Sequence, residues 1–213
     1  MTEAMMKKIN QGREYRNLVL EIKESEEDYM VRGYATTFDQ PYVLYHIDDG
    51  KVVEEQVDRK AFENTDMTDV IFQFDHEGHV YARKSNDTLK LTEDDHGLLV
   101  EAYLGGTAIG RNLYEEIKGG YTNKMSFGFT VTDDEVTETN DGYLRTIKSI
   151  GKLYDVSAVS LPANDFTEIS ARSHIDGVID EIETERKRLE ELQRVKAEQR
   201  ESLLNKIKTL RKD

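Results

Sequence analysis

The chain has 213 residues, of which 37% are apolar and 34% charged, and 43 acidic against 29 basic residues give it a net charge of −14. That balance argues against a general nucleic-acid binder, which needs a basic footprint for phosphate contacts. No apolar run approaches the roughly 20 residues that span a bilayer, and the N-terminus lacks the apolar stretch of a signal peptide. The absence of cysteine excludes disulfides, thiolate metal sites, iron–sulfur clusters and a cysteine nucleophile.

Charge and pattern divide the chain near residue 172. Residues 178–213 hold 10 basic and 9 acidic residues, so the acidity lies in the first part. There, short alternating or apolar runs dominate: Leu18–Ile22, Tyr29–Thr36, Val70–Phe74, Thr88–Leu91, Leu98–Leu104, Met125–Val131, Tyr143–Ile150 and Leu153–Leu161 read as strands. Turn clusters separate them at Asp48-Asp49-Gly50, Asp94–Gly97 and Thr139–Gly142, and Asn140-Asp141-Gly142 predicts a hairpin. One helix interrupts them, with Thr107 as N-cap, Ile109, Leu113 and Ile117 on one face, and Gly119-Gly120 as its end. A short second helix is predicted around Arg59–Asn64. Many strands and few helices predict a mainly β, α+β domain over residues 1–172, a closed or nearly closed antiparallel barrel.

Residues 173–213 contain no proline, and Ile175, Val178, Ile182, Leu189, Leu192, Leu203 and Leu210 fall near heptad a and d positions. Glu185, Lys196, Gln199 and Lys206 break the seam. The pattern predicts one long amphipathic helix suited to a coiled-coil or other helical partner.

Three stretches carry candidate chemistry. Phe72-Gln73-Phe74-Asp75-His76 puts a histidine directly after a strand. In Met125-Ser126-Phe127-Gly128-Phe129 the aromatic residues alternate with Ser126 and Gly128, so the serine faces away from the core beside a glycine that leaves space. In Leu153-Tyr154-Asp155-Val156 an acid sits among apolar neighbours. A serine hydroxyl becomes a nucleophile when an imidazole takes its proton, and the imidazole needs a partner on its other nitrogen. Several plainer readings compete. His79 follows His76 by three residues, but His-Glu-Gly-His lacks one spacer of the H-E-x-x-H zinc pattern. His96 reads as a turn residue, Asp133-Asp134-Glu135 as a solvated hairpin end, and Arg83 and Arg145 as surface ion-pair members. Asp39, Asp48 and Asp49 lack the spacing of a calcium loop.

From Gly33 to about Ala163 the chain resembles the prohead, or capsid maturation, proteases of tailed bacteriophages, a family regarded as related to the herpesvirus assembly proteases. The resemblance is carried in order by Gly33-Tyr34-Ala35 with Phe38, Glu54-Glu55, Lys60-Ala61-Phe62, Phe74-Asp75-His76, Tyr81-Ala82-Arg83, Leu89-Lys90-Leu91, Gly97-Leu98, Val100-Glu101, Met125-Ser126-Phe127-Gly128-Phe129 and Asp155-Val156-Ser157-Ala158-Val159 with Pro162-Ala163. Lys60, Asp75 and Ala82 stand where the family usually has Gly, Asn and Gly. The resemblance implies a herpesvirus-type antiparallel barrel flanked by helices and a serine endopeptidase with Ser126 as nucleophile, His76 as general base and Asp155 as the third member, Glu101 competing for that last role. It implies no cofactor and no metal. The implied partners are the major capsid protein with its scaffolding segment, a separate scaffold protein and the enzyme itself, with no nucleic acid and no membrane. It also admits a homodimer. The implied place is the host cytoplasm, inside the assembling prohead. The predicted C-terminal helix, about 58 Å for about 39 residues, would carry the enzyme into the shell, and a cut near Ile169–Ser173 would release it. A catalytically inactive scaffold or capsid-assembly protein with a protease-like barrel is the alternative.

Overall fold

The computed structural model describes residues 13–18, 23–24, 29–47, 50–160 and 165–210, excepting the side chains of 17–18, 23–24, 165–173 and 202–210. The chain divides into two compact units, residues 1–172 and residues 173–213. The first is mostly strand: β1 Glu14–Leu18, β2 Lys23–Glu24, β3 Met30–Thr37, β4 Tyr42–His46, β5 Val52–Val57, β6 Ile71–Phe74, β7 Glu77–Arg83, β8 Leu89–Glu93, β9 Gly97–Tyr103, β10 Lys124–Thr139 and β11 Gly142–Val159. Helix α1, Ala108–Lys118, separates β9 from β10. The Thr107 side chain accepts the Gly110 N–H at 3.0 Å and caps it, and Leu113, Tyr114 and Ile117 face the core. Ile109, assigned to the same stripe by its spacing, is 39% exposed.

Among the described residues the strands form two sheets, not one closed barrel. A seven-stranded sheet runs β1-β10-β11-β5-β4, with β6 also on β11 and β7 on β6; a four-stranded sheet runs β2-β3-β9-β8. The reason lies in β11. Its first part, Gly142–Ile147, pairs in parallel with β5, and its last part, Asp155–Ala158, pairs in parallel with β6. Those two parallel ladders replace the all-antiparallel circuit that alternation suggested. Val31, Ala35, Leu98, Val100 and Ala102 of the smaller sheet join one core with Phe72, Phe127, Phe129 and Val156 of the larger.

β10 and β11 form the predicted hairpin, turning at Asn140-Asp141 with Thr139 paired to Gly142. Residues Tyr143–Ile150 and Leu153–Leu161 read as two strands, yet one 18-residue strand carries both. Ladder shifts leave Lys148, Gly151 and Tyr154 without opposite partners, so Ile147, Ile150, Leu153 and Val156 are all buried at a spacing of three. The region predicted as a short helix, Arg59–Asn64, instead makes consecutive turns, with Ala61 N–H donating to Asp58 and Glu63 N–H to Lys60. The strand predicted over Leu18–Ile22 is described only at Leu18, and Asp48, Asp49 and Leu161–Ala163 lie outside the described residues.

One side of the larger sheet carries a buried ionic cluster that fastens β1. Glu55 of β5 is fully buried. It accepts Arg16 Nη2 at 2.9 Å and Arg145 Nη1 at 2.8 Å, and the Tyr42 hydroxyl donates to it as well. Arg145 also reaches Glu14 at 2.8 Å and Asp134. Arg145, read from sequence as a surface residue, is thus 1% exposed, and Asp134 is its partner and not a free end of the hairpin. Burial alone would raise the Glu55 pKa; Arg16 and Arg145 more than reverse it, bringing it from 4.5 to about 2.

In the second unit, helix α2 continues an α-helix that begins at Asp165 and ends at Leu210, 46 residues and about 69 Å at 1.5 Å per residue. It begins before the predicted start, so Ile169–Ser173 is helical. Leu189 and Leu192 are 49% and 48% exposed on it. Among the described residues no helix is long and apolar enough to cross a membrane.

The lowered Glu55 pKa fixes the sign of an acid effect. A carboxyl held below its unfolded value of 4.5 stabilises the fold above that pH and loses the contribution as pH falls toward about 2. Urea midpoints should therefore fall across that window in the natural chain and fall less steeply in Glu55→Gln. An unchanged pH slope in the variant would contradict the cluster.

Candidate active site

Three neighbouring strands bring the predicted site residues together. Ser126 lies on β10, opposite Ser157 of β11; Gly128 lies opposite Asp155. His76 follows β6, which runs parallel to β11 with Ile71 beside Asp155 and Phe74 beside Ala158. Alternation turns Phe127 and Phe129 into the core, where their rings stack at 4.4 Å, and leaves Ser126, Gly128, Asp155 and Ser157 to the other face.

The resulting contacts form a chain. His76 Nε2 is 2.6 Å from Ser126 Oγ, and His76 Nδ1 bonds Asp155 Oδ2. Ser157 Oγ donates to the same Asp155 oxygen at 3.0 Å and lies 3.2 Å from His76 Nδ1. A carboxylate on Nδ1 keeps the proton there, so Nε2 presents its lone pair to the serine hydroxyl. Ser126, Asp155 and Ser157 are buried, and the His76 side chain keeps 16% exposure. Glu101, the competing acid, lies on β9 in the other sheet and pairs with Arg32 at 3.6 Å and Lys90 at 3.5 Å. His79 is exposed on β7. His96 sits in the turn at Asp94, which accepts its N–H at 2.8 Å. Arg83 pairs with Asp69 on the surface.

His76 owes its position to a tight turn. Asp75 and His76 have φ of 49° and 59°, the left-handed pair that a two-residue hairpin turn requires. Neither is glycine, and such residues cost on the order of 1–3 kcal/mol each. Asp75 offsets part of this through its own bonds. Its N–H donates to the Ala158 carbonyl at 2.9 Å. Its carboxylate accepts the Ser160 N–H and hydroxyl, each at 2.8 Å. The turn is thereby tied to the end of the strand that carries Asp155. An aspartate tolerates the left-handed region better than most residues, which gives Asp75 a physical role where the family usually has asparagine.

Gly128 is required by the packing of the site itself. A Cβ there would lie 2.4 Å from Asp155 Oδ1 and 2.6 Å from the Tyr15 ring. Tyr15 in turn packs edge-on against His76, centroids 4.4 Å apart. Four residues to which the sequence reading gave no role thus belong to the site or its frame: Tyr15, Asp75, Ser157 and Arg16, whose carbonyl accepts the Ser126 hydroxyl at 2.8 Å. Ser157 was recoverable from its i+2 spacing to Asp155. Tyr15 and Arg16 were not, because only the pairing of β1 with β10 brings them near.

A serine, an imidazole and a carboxylate bonded in series can perform acyl transfer: the imidazole removes the hydroxyl proton and the carboxylate stabilises the imidazolium. The arrangement defines the class of serine hydrolases, recognised by geometry and not by chain order. The chain belongs to the caudovirus prohead serine protease family, which matches it over residues 17–180. It is similar to the prohead protease of Enterobacteria phage HK97, with 34% identity over 89 residues, 41% of this chain and 39% of that protein. The chain therefore aligns with about two fifths of that relative's length. No solved structure matches the chain.

The glycine contact gives a stability prediction. Gly128→Ala should destabilise the chain by about 1–3 kcal/mol, the range for overpacking a tight site, measured as a shift in the urea midpoint. A variant as stable as the natural chain would show that Asp155 and Tyr15 are not held as described.

Proposed function

We propose that the chain is a serine endopeptidase of phage capsid maturation. The observation that supports this most is the 2.6 Å contact between His76 Nε2 and Ser126 Oγ with Asp155 on the other ring nitrogen. Ser126 Oγ attacks a peptide carbonyl carbon while His76 Nε2 takes its proton. His76 then gives that proton to the leaving amine, and a water, deprotonated by the same imidazole, releases the acyl group. Asp155 holds the imidazole in the productive tautomer, and Ser157 holds Asp155.

The substrates in this proposal are the scaffolding segment of the major capsid protein, a separate scaffold protein and the protease itself. Cleavage takes place inside the assembling prohead in the host cytoplasm. Helix α2 binds a helical partner there, another copy or a scaffold helix, through the exposed Leu189 and Leu192, and self-cleavage near its first turns releases it. Family membership and the similarity to the HK97 prohead protease support the capsid-maturation setting, and the exposed leucines of α2 support a helical partner.

The test is a comparison of the full chain with Ser126→Ala, each incubated alone and with the cognate capsid protein, followed by intact mass. Discrete fragments that appear with the natural chain and not with Ser126→Ala are the expected result. If neither yields fragments inside assembled shells, the catalytic reading fails and a non-enzymatic assembly role replaces it.

A further inference from the structure

The sheet edge beside Ser126 is occupied by a segment of this same chain. β1 runs antiparallel to β10, with Asn17 opposite Ser126 and Arg16 opposite Phe127. An extended peptide entering a site built on a strand takes such an edge by adding a strand of its own, main-chain bonds giving affinity and alternate side chains specificity. β1 does this in detail. It presents a peptide carbonyl, that of Arg16, to the Ser126 hydroxyl at 2.8 Å. Its Tyr15 ring covers the imidazole at 4.4 Å, and Ser126 keeps no exposed surface. One hydroxyl proton cannot go to both the Arg16 carbonyl and His76 Nε2, so β1 also competes for the proton that activation requires.

The Arg16 side chain leaves on the opposite face and enters a closed pocket. It is 3% exposed and meets Glu55 through two atoms, Nε to Oε1 at 2.5 Å and Nη2 to Oε2 at 2.9 Å. Its carbon Cζ lies 5.6 Å from the Phe129 ring centroid. Such a two-point match to a carboxylate suits a planar guanidinium and not an ammonium. When β1 leaves, Glu14 and Arg16 leave with it. The pocket then holds Glu55 and Asp134 against Arg145, still one carboxylate in excess, and Glu55 has lost the two-point partner that a second guanidinium would replace. An apolar or acidic side chain there would leave Glu55 buried without its fork partner, which is costly for a buried charge.

We propose that β1 stands in the place of the substrate, and that the site takes an extended peptide carrying arginine at the residue whose carbonyl faces Ser126, with Glu55 as the specificity-determining residue. The proposal rests on the protease reading, and the experiment separates the two. The probe is a fluorescein-labelled peptide with the sequence of residues 12–20, and two others with alanine or glutamate in place of Arg16. The receptor is the full chain carrying Ser126→Ala, to prevent turnover, with Asn17→Pro to loosen β1, since proline fits a paired strand poorly. A second receptor carries Ser126→Ala with Arg16→Ala, which empties the pocket directly. Thermal melts check that each is folded. By fluorescence anisotropy the arginine peptide should bind at least tenfold more tightly than the other two, and Glu55→Gln in the receptor should remove that difference. Equal binding of the three peptides, or no binding to either folded receptor, overturns the proposal. Hydrolysis of the same peptides by chains retaining Ser126 reads the other question. Cleavage without arginine preference sinks the proposal and leaves the protease reading standing. Arginine-selective binding without cleavage does the reverse.

Discussion

The register between β10 and β11 is the constraint on which the site depends. With Gly128 opposite Asp155 and Ser126 opposite Ser157, the serine and the acid lie on one face of adjacent strands. A slip of β10 by one residue would send Ser126 into the core, away from Asp155, and Phe127 and Phe129 out of it. The two stacked rings therefore fix the register by burial. Fully burying an aromatic side chain stabilises by about 1.5–3 kcal/mol, so the wrong register is costly twice over. The bulge at Tyr154 then aims Asp155 back to the site face although Leu153, two residues before it, points into the core. A glycine opposite Asp155 leaves the carboxylate its space.

β11 is also what delivers the histidine. Its last residues receive β6 in parallel, and the turn after β6 is bonded to Ala158 and Ser160. Ser126, Asp155 and His76 thus all refer to a single strand and its two neighbours. Strain at Asp75 and His76 is tolerated because those bonds over-determine the turn, as is common where backbone strain sits at a functional site. The same strand contributes Arg145 to the ionic cluster on its other face. One strand therefore organises both the Ser126–His76–Asp155 contacts and the anchoring of β1.

Most strands of the first unit were legible from alternation, and so were α1, its Thr107 cap and the hairpin at Asn140-Asp141. The strands that were missed are β2, β4, β5 and β7: β2 is two residues long, β4 and β7 each bury a single residue, and β5 breaks the rule that charged residues face water. β5 reads Val-Val-Glu-Glu-Gln-Val, and its buried positions include Glu55. A buried glutamate is satisfied only by partners from β1, β4 and β11, and no local window contains them. Arg145 was misjudged for the same reason. The barrel expectation failed because parallel pairing of β5 and β6 on one long strand leaves no mark in periodicity. Ser126, His76 and Asp155 could be nominated from strand context and family resemblance. Their meeting depends on long-range pairing, and so does the choice of Asp155 over Glu101 beside His76.

The central claim is that Ser126 is a nucleophile activated by His76. A fluorophosphonate, which reacts with activated serine hydroxyls, tests it without any assumption about substrate. Peptide mapping by mass spectrometry on the full chain and its Asn17→Pro form should locate one phosphonyl adduct on Ser126, lost when His76→Ala is introduced. No adduct on Ser126 in either form, or labelling that persists without His76, would contradict the account.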